Sequence, residues 1–270
     1  ATTIPDYAWT WAKMFWPGPL TMVFPRRPEV STIITAGQDT VALRVPNHPQ
    51  TLELLERWGG AFVAPSANRY GHISPTSASD VLDEFGEDAP TTLDGGSCRV
   101  GIESTIVSCL DDSPRILRLG MISAQALSMA ADLQVASPNE RSSVVTPGQS
   151  TSHYAPQTLA VLMSREAINR APLSDIDCGF IGFEPPPMLL SDVILLPHDP
   201  EEAAQCIYSA LRQLDQAGRE LIVIENMPTD SAWLPIADRL TRATAKSPEQ
   251  HRASDGVGES LKSILGYLRK

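Results

Sequence analysis

Short, nearly all-apolar runs dominate the second half of the chain. They are LAVLM (159–163), CGFIGF (178–183), DVILLP (192–197) and LIVIE (221–225). Apolar runs of this length are typical of strands that are buried on both faces of a sheet. A strand, helix, strand order between the last two runs indicates a right-handed parallel crossover. The second half is therefore predicted to be a small parallel α/β domain.

The segment between the last two of these runs has the signals of a helix. Asp199 can cap it, Pro200 suits its first turn, and Gly218 can end it. Its apolar residues share one face, which would pack on the sheet. These residues are Ala203, Ala204, Ile207, Ala210, Leu211 and Leu214. Neither a G-x-G-x-x-G fingerprint nor a Walker loop occurs in this half.

The first half is predicted to be a mixed α+β domain. One helix is expected over 49–59, and another over 74–86, with Ser74 as its cap and Pro75 in its first turn. A further helix should follow Pro5. Short β-branched runs indicate the strands. They are LTMVF (20–24), VALRV (41–45), AFVAP (61–65), STIVS (104–108) and RILRL (115–119).

A polar stretch rich in Ser and Pro separates the two halves. It has no hydrophobic periodicity and is typical of a linker. The predicted organisation is a domain over 1–133, a linker or lid over 134–157, a second domain over 158–246 and a tail over 247–270.

Composition restricts the class of protein. The formal charge of −11 argues against broad, non-specific nucleic-acid binding. The four cysteines form no C-x-x-C pair, and we expect buried thiols in a reducing compartment. No apolar run approaches the roughly 18 residues of a membrane span. The prediction is a cytoplasmic protein without a membrane or metal-site role.

The stretch APSANRYGHISPT (64–76) is the strongest local candidate for ligand binding. It lies between a predicted strand and a predicted helix, where α/β proteins place binding loops. Ser66, Asn68 and Ser74 supply short polar groups. Local chemistry alone also fits an ordinary turn. Arg118 can similarly be a surface charge or a clamp for phosphate or carboxylate. His153 has no evident partner for a catalytic triad.

Motifs spread over the whole chain resemble those of one family. WPGPLT (16–21), VALRVPNHP (41–49), APSANRYGHISPT, LDGG followed by GIESTIV, and ILRLG (116–120) occur in the order and spacing of the Sua5/YrdC catalytic domain. PGQSTSHYAP (147–156) and LPIADRLTRA (234–243) are similar to the additional domain of the longer Sua5 type. The resemblance implies an α/β protein: a YrdC-like domain with a mixed twisted sheet, then a Rossmann-like parallel α/β domain.

The resemblance also implies an activity. Threonylcarbamoyl-AMP synthases join L-threonine, bicarbonate and ATP into L-threonylcarbamoyl-AMP and release pyrophosphate, with Mg²⁺ accompanying the ATP. The product passes to a tRNA threonylcarbamoyl transferase complex for t6A modification. A small-molecule step of this kind agrees with the acidic charge, and a weak, transient contact with tRNA is a secondary expectation.

Site residues follow from the resemblance, position by position. Arg44, Ala64 and Ser104 fall where the family holds threonine. His153 and Tyr154 match an HYAP element that lies over the nucleotide and closes the site, so Tyr154→Ala is expected to cut turnover with little loss of stability. The full set of expected ATP-binding residues is Thr40, Ser66, Asn68, Ser74, Arg118, His153 and Tyr154. Ser66, Asn68 and Arg118 are expected to line one nucleotide pocket.

The chain departs from the family pattern at its start. The family's opening strand, with a T-x-T-V-Y-G-L-like segment, and its K-x-R element have no match here. The catalytic residues are therefore not assigned, and the expectation is a chain truncated at its N-terminus or a natural derivative. Two alternatives remain: a catalytically impaired nucleotide- or RNA-binding protein of the same fold, and a carbamoyl-transfer enzyme. The HYAP element argues against the second alternative.

Overall fold

The computed structural model describes residues 1–138, 146, 148 and 152–245. The contacts divide the chain into two compact units, the first from Ala1–Pro65 with Glu103–Gln149 and the second from Ser66–Ile102 with Ser150–Lys270. The predicted tail (247–270) and part of the predicted linker (139–145, 147 and 149–151) lie outside the described residues. The helices are α1 (Asp6–Phe15), α2 (Pro49–Trp58), α3 (Ala78–Phe85), α4 (Ala124–Ala131), α5 (Arg165–Arg170), α6 (Pro200–Gln216) and α7 (Leu234–Ala243).

A mixed four-stranded sheet forms the centre of the first unit. Its strands are β1 (Leu20–Pro25), β2 (Thr40–Leu43), β3 (Thr105–Ser108) and β4 (Arg115–Arg118). The order is β2–β1–β3–β4, in which β1 and β3 run parallel and the two outer pairs are antiparallel. This arrangement confirms the mixed sheet expected from the sequence.

A large buried cluster of the first unit lies on one face of this sheet. Trp11 of α1 is fully buried, and its indole Nε1 donates a hydrogen bond of 2.9 Å to the Leu127 carbonyl of α4. The two helices thereby pack on apolar side chains of three strands. The buried cluster comprises Ala8, Trp11, Leu20, Met22, Phe24, Val107, Cys109, Ile116, Leu127 and Val135.

Two local predictions for the segment that precedes and includes α3 are wrong. Residues 61–65 are exposed and form no strand, because their backbone pairs with no neighbouring strand. The cap of α3 is Ser77, not Ser74: the Ser77 hydroxyl accepts from the Asp80 N–H at 3.3 Å, and the Asp80 carboxylate accepts from the Ser77 N–H at 3.1 Å. This reciprocal capping box starts the helix three residues later than predicted.

The second unit contains the predicted parallel sheet. Its strands are β5 (Ala160–Met163), β6 (Cys178–Gly182), β7 (Asp192–Leu195) and β8 (Leu221–Glu225), in the order β5–β8–β6–β7. All three strand pairs are parallel. As predicted, α6 begins after Asp199, whose carboxylate accepts from two N–H groups of the first turn. The expectation of full burial is wrong for β7, because it is the edge strand and Val193 and Leu195 are exposed.

Burial of the cysteines is only partly as expected. Cys109 and Cys178 are buried, whereas Cys98 is exposed and Cys206 is intermediate. Burial raises the pKa of the Cys109 thiol to about 12. Burial and the nearby Asp177 raise that of Cys178 to about 11. Within the described part of the chain, no helix combines the length and the apolar character needed to cross a membrane.

Candidate functional site

Three of the predicted site residues meet at one edge of the first sheet. Ser104 precedes β3, Arg118 ends β4, and Arg44 follows β2. Because β2 and β4 run antiparallel to their neighbours, the ends of these two strands lie beside the starts of β1 and β3. We call this the Ser104 edge, and Thr21 at the start of β1 belongs to it.

Arg118 and Ser104 are in direct contact at this edge. The guanidinium Nε and Nη2 donate to the Ser104 carbonyl at 3.1 and 3.0 Å, and Nη2 also contacts Ser104 Oγ at 3.1 Å. Ser104 Oγ and Thr21 Oγ1 are 2.7 Å apart. Ser104 is only 3% exposed, so its position is fixed by packing. The contacts fix the orientation of a planar, permanently charged group that suits phosphate or carboxylate.

Gly120 permits the close packing behind this contact. A Cβ at Gly120 would lie 2.2 Å from the Thr105 backbone nitrogen and 2.7 Å from Thr105 Oγ1. Thr105 Oγ1 in turn donates to the Ile122 carbonyl at 2.7 Å. The pairing of β3 with β4 shifts between Ile106 and Val107, next to Arg118, and such bulges redirect side chains. The ILRLG and GIEST motifs therefore pack directly against each other.

Thr40 and Ala64 lie away from the Ser104 edge. Thr40 starts β2 and pairs with Pro25, at the opposite end of that short strand from Arg44. Ala64 lies in the exposed segment 61–65. Within the first unit, the structure therefore brings together Arg44, Ser104 and Arg118. The roles assigned to Thr40 and Ala64 stay predictions.

The remaining predicted residues lie in the second unit. In the loop 66–76, called the APSAN loop below, Asn68 Nδ2 donates to the Arg69 carbonyl at 2.8 Å and to the His72 carbonyl at 3.2 Å. Asn68 Oδ1 is buried and has no hydrogen-bond partner among the described residues. Ser74 is buried, whereas Ser66 is exposed. Asn68 therefore closes the loop on itself, while Ser66 faces solvent.

Two carboxylates of α3, Glu84 and Asp80, fasten the APSAN loop at its middle and at its C-terminal end. Glu84 Oε1 accepts from the Arg69 N–H at 2.9 Å and lies 2.8 Å from His72 Nδ1. Asp80 Oδ2 accepts from the N–H and hydroxyl of Thr76 at 2.7 and 3.0 Å. Burial acts to raise the pKa of Asp80, but hydrogen bonds from Thr76 and Ser77 and the charge of a nearby arginine outweigh it. The net result is a pKa below the usual value.

The His153–Tyr154 pair is packed into the second unit. Tyr154 is 1% exposed, its ring stacks on Tyr208 at 5.6 Å, and the Arg239 guanidinium lies 5.3 Å from the ring centroid. Tyr154 has a φ of +60°, a costly conformation for a bulky residue. The His153 ring meets Tyr70 edge-on at 5.7 Å.

Backbone contacts hold the same pair in place. The His153 N–H donates to the Arg242 carbonyl at 3.3 Å, and the Ala155 N–H donates to the Gly71 carbonyl at 2.9 Å. Because the Tyr154 ring is buried, we expect Tyr154→Ala to cost more stability than the sequence predicts. The roles of His153 and Tyr154 in nucleotide binding stay predictions.

Family models match nearly the whole described chain. Residues 1–120 match the Sua5–YciO–YrdC model, described as "Telomere recombination". Residues 119–245 match the model of the "Threonylcarbamoyl-AMP synthase, C-terminal domain". The threonylcarbamoyl-AMP synthase of Pyrococcus abyssi is 33% identical over 90% of this chain and 75% of its own length. That of Bacillus subtilis is 32% identical over 88% of this chain and 73% of its own length.

The chain belongs to the Sua5/YrdC family.

Solved structures of this family agree with the fold. P. abyssi Sua5 in complex with L-threonine has a TM-score of 0.77 at 30% identity, covering 90% of this chain and 75% of that chain. A P. abyssi Sua5 variant, with an adjacent histidine and tyrosine both replaced by alanine, has a TM-score of 0.81 at 30% identity, covering 90% and 74%. The relatives are named as synthases of an adenylate-linked product, so this is a family of nucleotidyltransferase-like enzymes.

Several residues of these contacts were not predicted as site residues. Thr21 lies in the quoted WPGPLT motif. The alternation of side chains along its strand could have indicated that Thr21 lies on the same face as Ser104. Tyr208 and Arg239 lie on buried faces of α6 and α7, where sequence patterns indicate only packing.

Proposed function

We propose that this Sua5-family chain is an L-threonylcarbamoyladenylate synthase. Its substrates would be L-threonine, bicarbonate and ATP, and its products threonylcarbamoyl-AMP, pyrophosphate and water. The amine of threonine first combines with bicarbonate to a carbamate, with loss of water. A carbamate oxygen then attacks the α-phosphorus of ATP, and the bond to pyrophosphate breaks. No protein nucleophile is needed, and the protein acts by positioning and charge stabilisation.

The contact of Arg118 with Ser104 is the observation that carries the proposal. A guanidinium held by a buried serine keeps a permanent positive charge in a fixed place, as the binding of an anionic substrate requires. Arg44 at the same edge provides a second guanidinium suited to an amino-acid carboxylate. The threonine complex of the P. abyssi relative supports an amino-acid substrate for this chain.

Mg²⁺ is proposed to enter with ATP, bound to the phosphate oxygens. Among the described residues, no three His, Cys, Asp or Glu side chains are grouped so that they could hold a metal ion. The ion would neutralise phosphate charge during the attack. Delivery of the product to a tRNA threonylcarbamoyl transferase complex, for t6A synthesis in the cytoplasm, is part of the same proposal.

The direct test is product formation by residues 1–270. Pyrophosphate release would be measured with ATP, threonine and bicarbonate, with each substrate omitted in turn, and threonylcarbamoyl-AMP would be identified by mass spectrometry. Release that requires all three substrates would support the proposal. Binding of ATP and threonine without product would instead favour the catalytically impaired binding protein.

Substitution of Arg118 tests the site itself. Arg118→Ala should weaken ATP binding by about 1.5–3 kcal/mol, roughly 10- to 150-fold, because one charge-assisted contact is lost. Arg115→Ala, on the same strand, is the matched control and should leave the affinity for ATP unchanged. Calorimetry that gives equal ATP affinities for both variants and the parent would remove Arg118 from the site.

A further inference from the structure

Arg212, on α6, lies between the two carboxylates that fasten the APSAN loop. Its Nη2 donates to the Ile73 carbonyl at 2.9 Å, and its Nε lies 3.6 Å from Asp80 Oδ1. Its Nη1 lies 3.9 Å from Glu84 Oε2. The Arg212 side chain is 12% exposed, so these ionic contacts are only weakly screened by solvent. One cation thus contacts the loop backbone and both of its fastening groups.

The position of this cation matters because Asp80 and Glu84 are one helical turn apart on α3. Like charges at this spacing repel each other, and burial of their side chains increases that repulsion. Each carboxylate must stay in place to accept the N–H groups of Arg69 and Thr76. Arg212 offsets the repulsion and keeps both acceptors in contact with the loop.

Other contacts show that α6 supports the whole segment 66–102. A Cβ at Gly101 would lie 2.2 Å from the Ala204 carbonyl oxygen near the start of α6. Gln205 Nε2 donates to the Cys98 carbonyl at 3.3 Å, and Gln216 Nε2 donates to Asp83 Oδ2 at 3.3 Å. Arg212 is therefore part of a continuous contact along the helix.

A cleft of about 160 Å³ lies beside Arg212. Its lining includes His72 and Ile73 of the APSAN loop together with Ala155 and Gln157, which follow the His153–Tyr154 pair. Displacement of the Arg212 side chain would therefore remove support from the loop on the side that faces this cleft.

We propose that Arg212 is a positioning residue for ATP, acting through Ile73, Asp80 and Glu84 to hold the APSAN loop in its binding conformation. This inference rests on the proposed function and on the sequence-based expectation that Ser66, Asn68 and Ser74 bind the nucleotide. It gives the second domain a role in substrate binding: α6 supplies the cation that orders the loop.

The test compares Arg212→Met and Arg212→Lys with the parent chain. Arg219→Met is the matched control, because Arg219 also pairs with two carboxylates of the second unit, Asp177 and Asp192. Hydrogen exchange of peptides over 66–80 reports the order of the loop. Calorimetry and kinetics report the Kd and KM for ATP, the KM for threonine, and kcat.

Arg212→Met should speed exchange over 66–80 and raise the Kd and KM for ATP by about tenfold or more, with smaller effects on kcat and the KM for threonine. Arg212→Lys should recover part of the affinity, because a cation returns without the guanidinium fork. Arg219→Met should lower the unfolding temperature without changing loop exchange or the affinity for ATP.

Unchanged loop exchange in Arg212→Met would overturn the assignment of Arg212 as the group that holds the loop. Faster exchange with an unchanged affinity for ATP would overturn its role in substrate binding. A parent chain that binds no ATP would overturn the proposed function and with it the role of Arg212 in substrate binding. The exchange data would still decide, separately, whether Arg212 orders the loop.

Discussion

Replacement of Tyr154 by alanine should destabilise the second unit strongly. The ring is 1% exposed and is packed between Tyr208 and the guanidinium of Arg239. Truncation of a buried aromatic side chain costs about 3–5 kcal/mol, and loss of the stacking and cation–π contacts acts in the same direction. The positive φ gives no compensation, because alanine in this region is strained in the same way as tyrosine. We therefore expect a loss of about 3–5 kcal/mol.

Tyr70→Ala is the matched control for this substitution. Tyr70 also contacts the His153 ring, but it is 81% exposed. Its truncation should change stability by no more than about 0.5 kcal/mol. Urea unfolding monitored by pulsed hydrogen exchange would resolve peptides of the second unit from those of the first.

A loss of stability below about 1 kcal/mol for Tyr154→Ala would refute this reasoning, because removal of a buried ring from a packed core costs more than that. It would mean that the ring spends most of its time outside the pocket formed by Tyr208 and Arg239. The His153–Tyr154 pair would then be a mobile lid, as the sequence predicts, and not an anchored segment. Turnover of the two tyrosine variants at equal fractions of folded protein would separate a role in catalysis from the loss of stability.

Two smaller changes test other contacts. Gly120→Ala should destabilise the first unit by about 1–3 kcal/mol in urea unfolding, because its Cβ would overlap the Thr105 backbone. The control Gly60→Ala, whose Cβ meets only the exposed Trp58 ring, should cost much less stability. Equal losses of stability in the two variants would contradict the packing argument. Asp80→Asn should destabilise the protein at neutral pH, and the deficit should shrink below about pH 4. The folded-state pKa of Asp80 is lowered, so its contribution is present above the unfolded-state pKa and lost as the pH falls through the folded-state value. A deficit that is constant with pH would exclude this ionic contribution.

Most of the second sheet could be predicted because its strands are short apolar runs in a regular alternation with helices. The exposure of β7 could not be predicted, because an edge position depends on the strand order β5–β8–β6–β7 and not on the composition of one strand. The run 61–65 shows the converse error: its apolar residues resemble a strand, but strand formation requires a pairing partner.

Contacts within the candidate site could be predicted only where a motif is continuous in sequence. The motifs GIEST and ILRLG indicated Ser104 and Arg118, which the structure brings together. The helix cap at Ser77 was missed because two serines near Pro75 offered similar signals, and Asp80 decides between them. The contact of Arg212 with the loop could not be predicted, because its partner Ile73 lies 139 residues away in the sequence.

Sequence and contacts divide this chain differently, and the difference has a physical cause. The family models meet near residue 120, whereas the contacts group Ser66–Ile102 with Ser150–Lys270. A loop rich in Ser, Gly and Pro has little apolar surface of its own, so it gains order mainly from side chains that reach it from a rigid element. Here that element is α6, whose Arg212 bonds to the Ile73 carbonyl across a separation of 139 residues. The conformation of the APSAN loop is therefore set in part by a helix encoded in the other half of the sequence. A substitution on that helix can alter the loop without changing any residue of it.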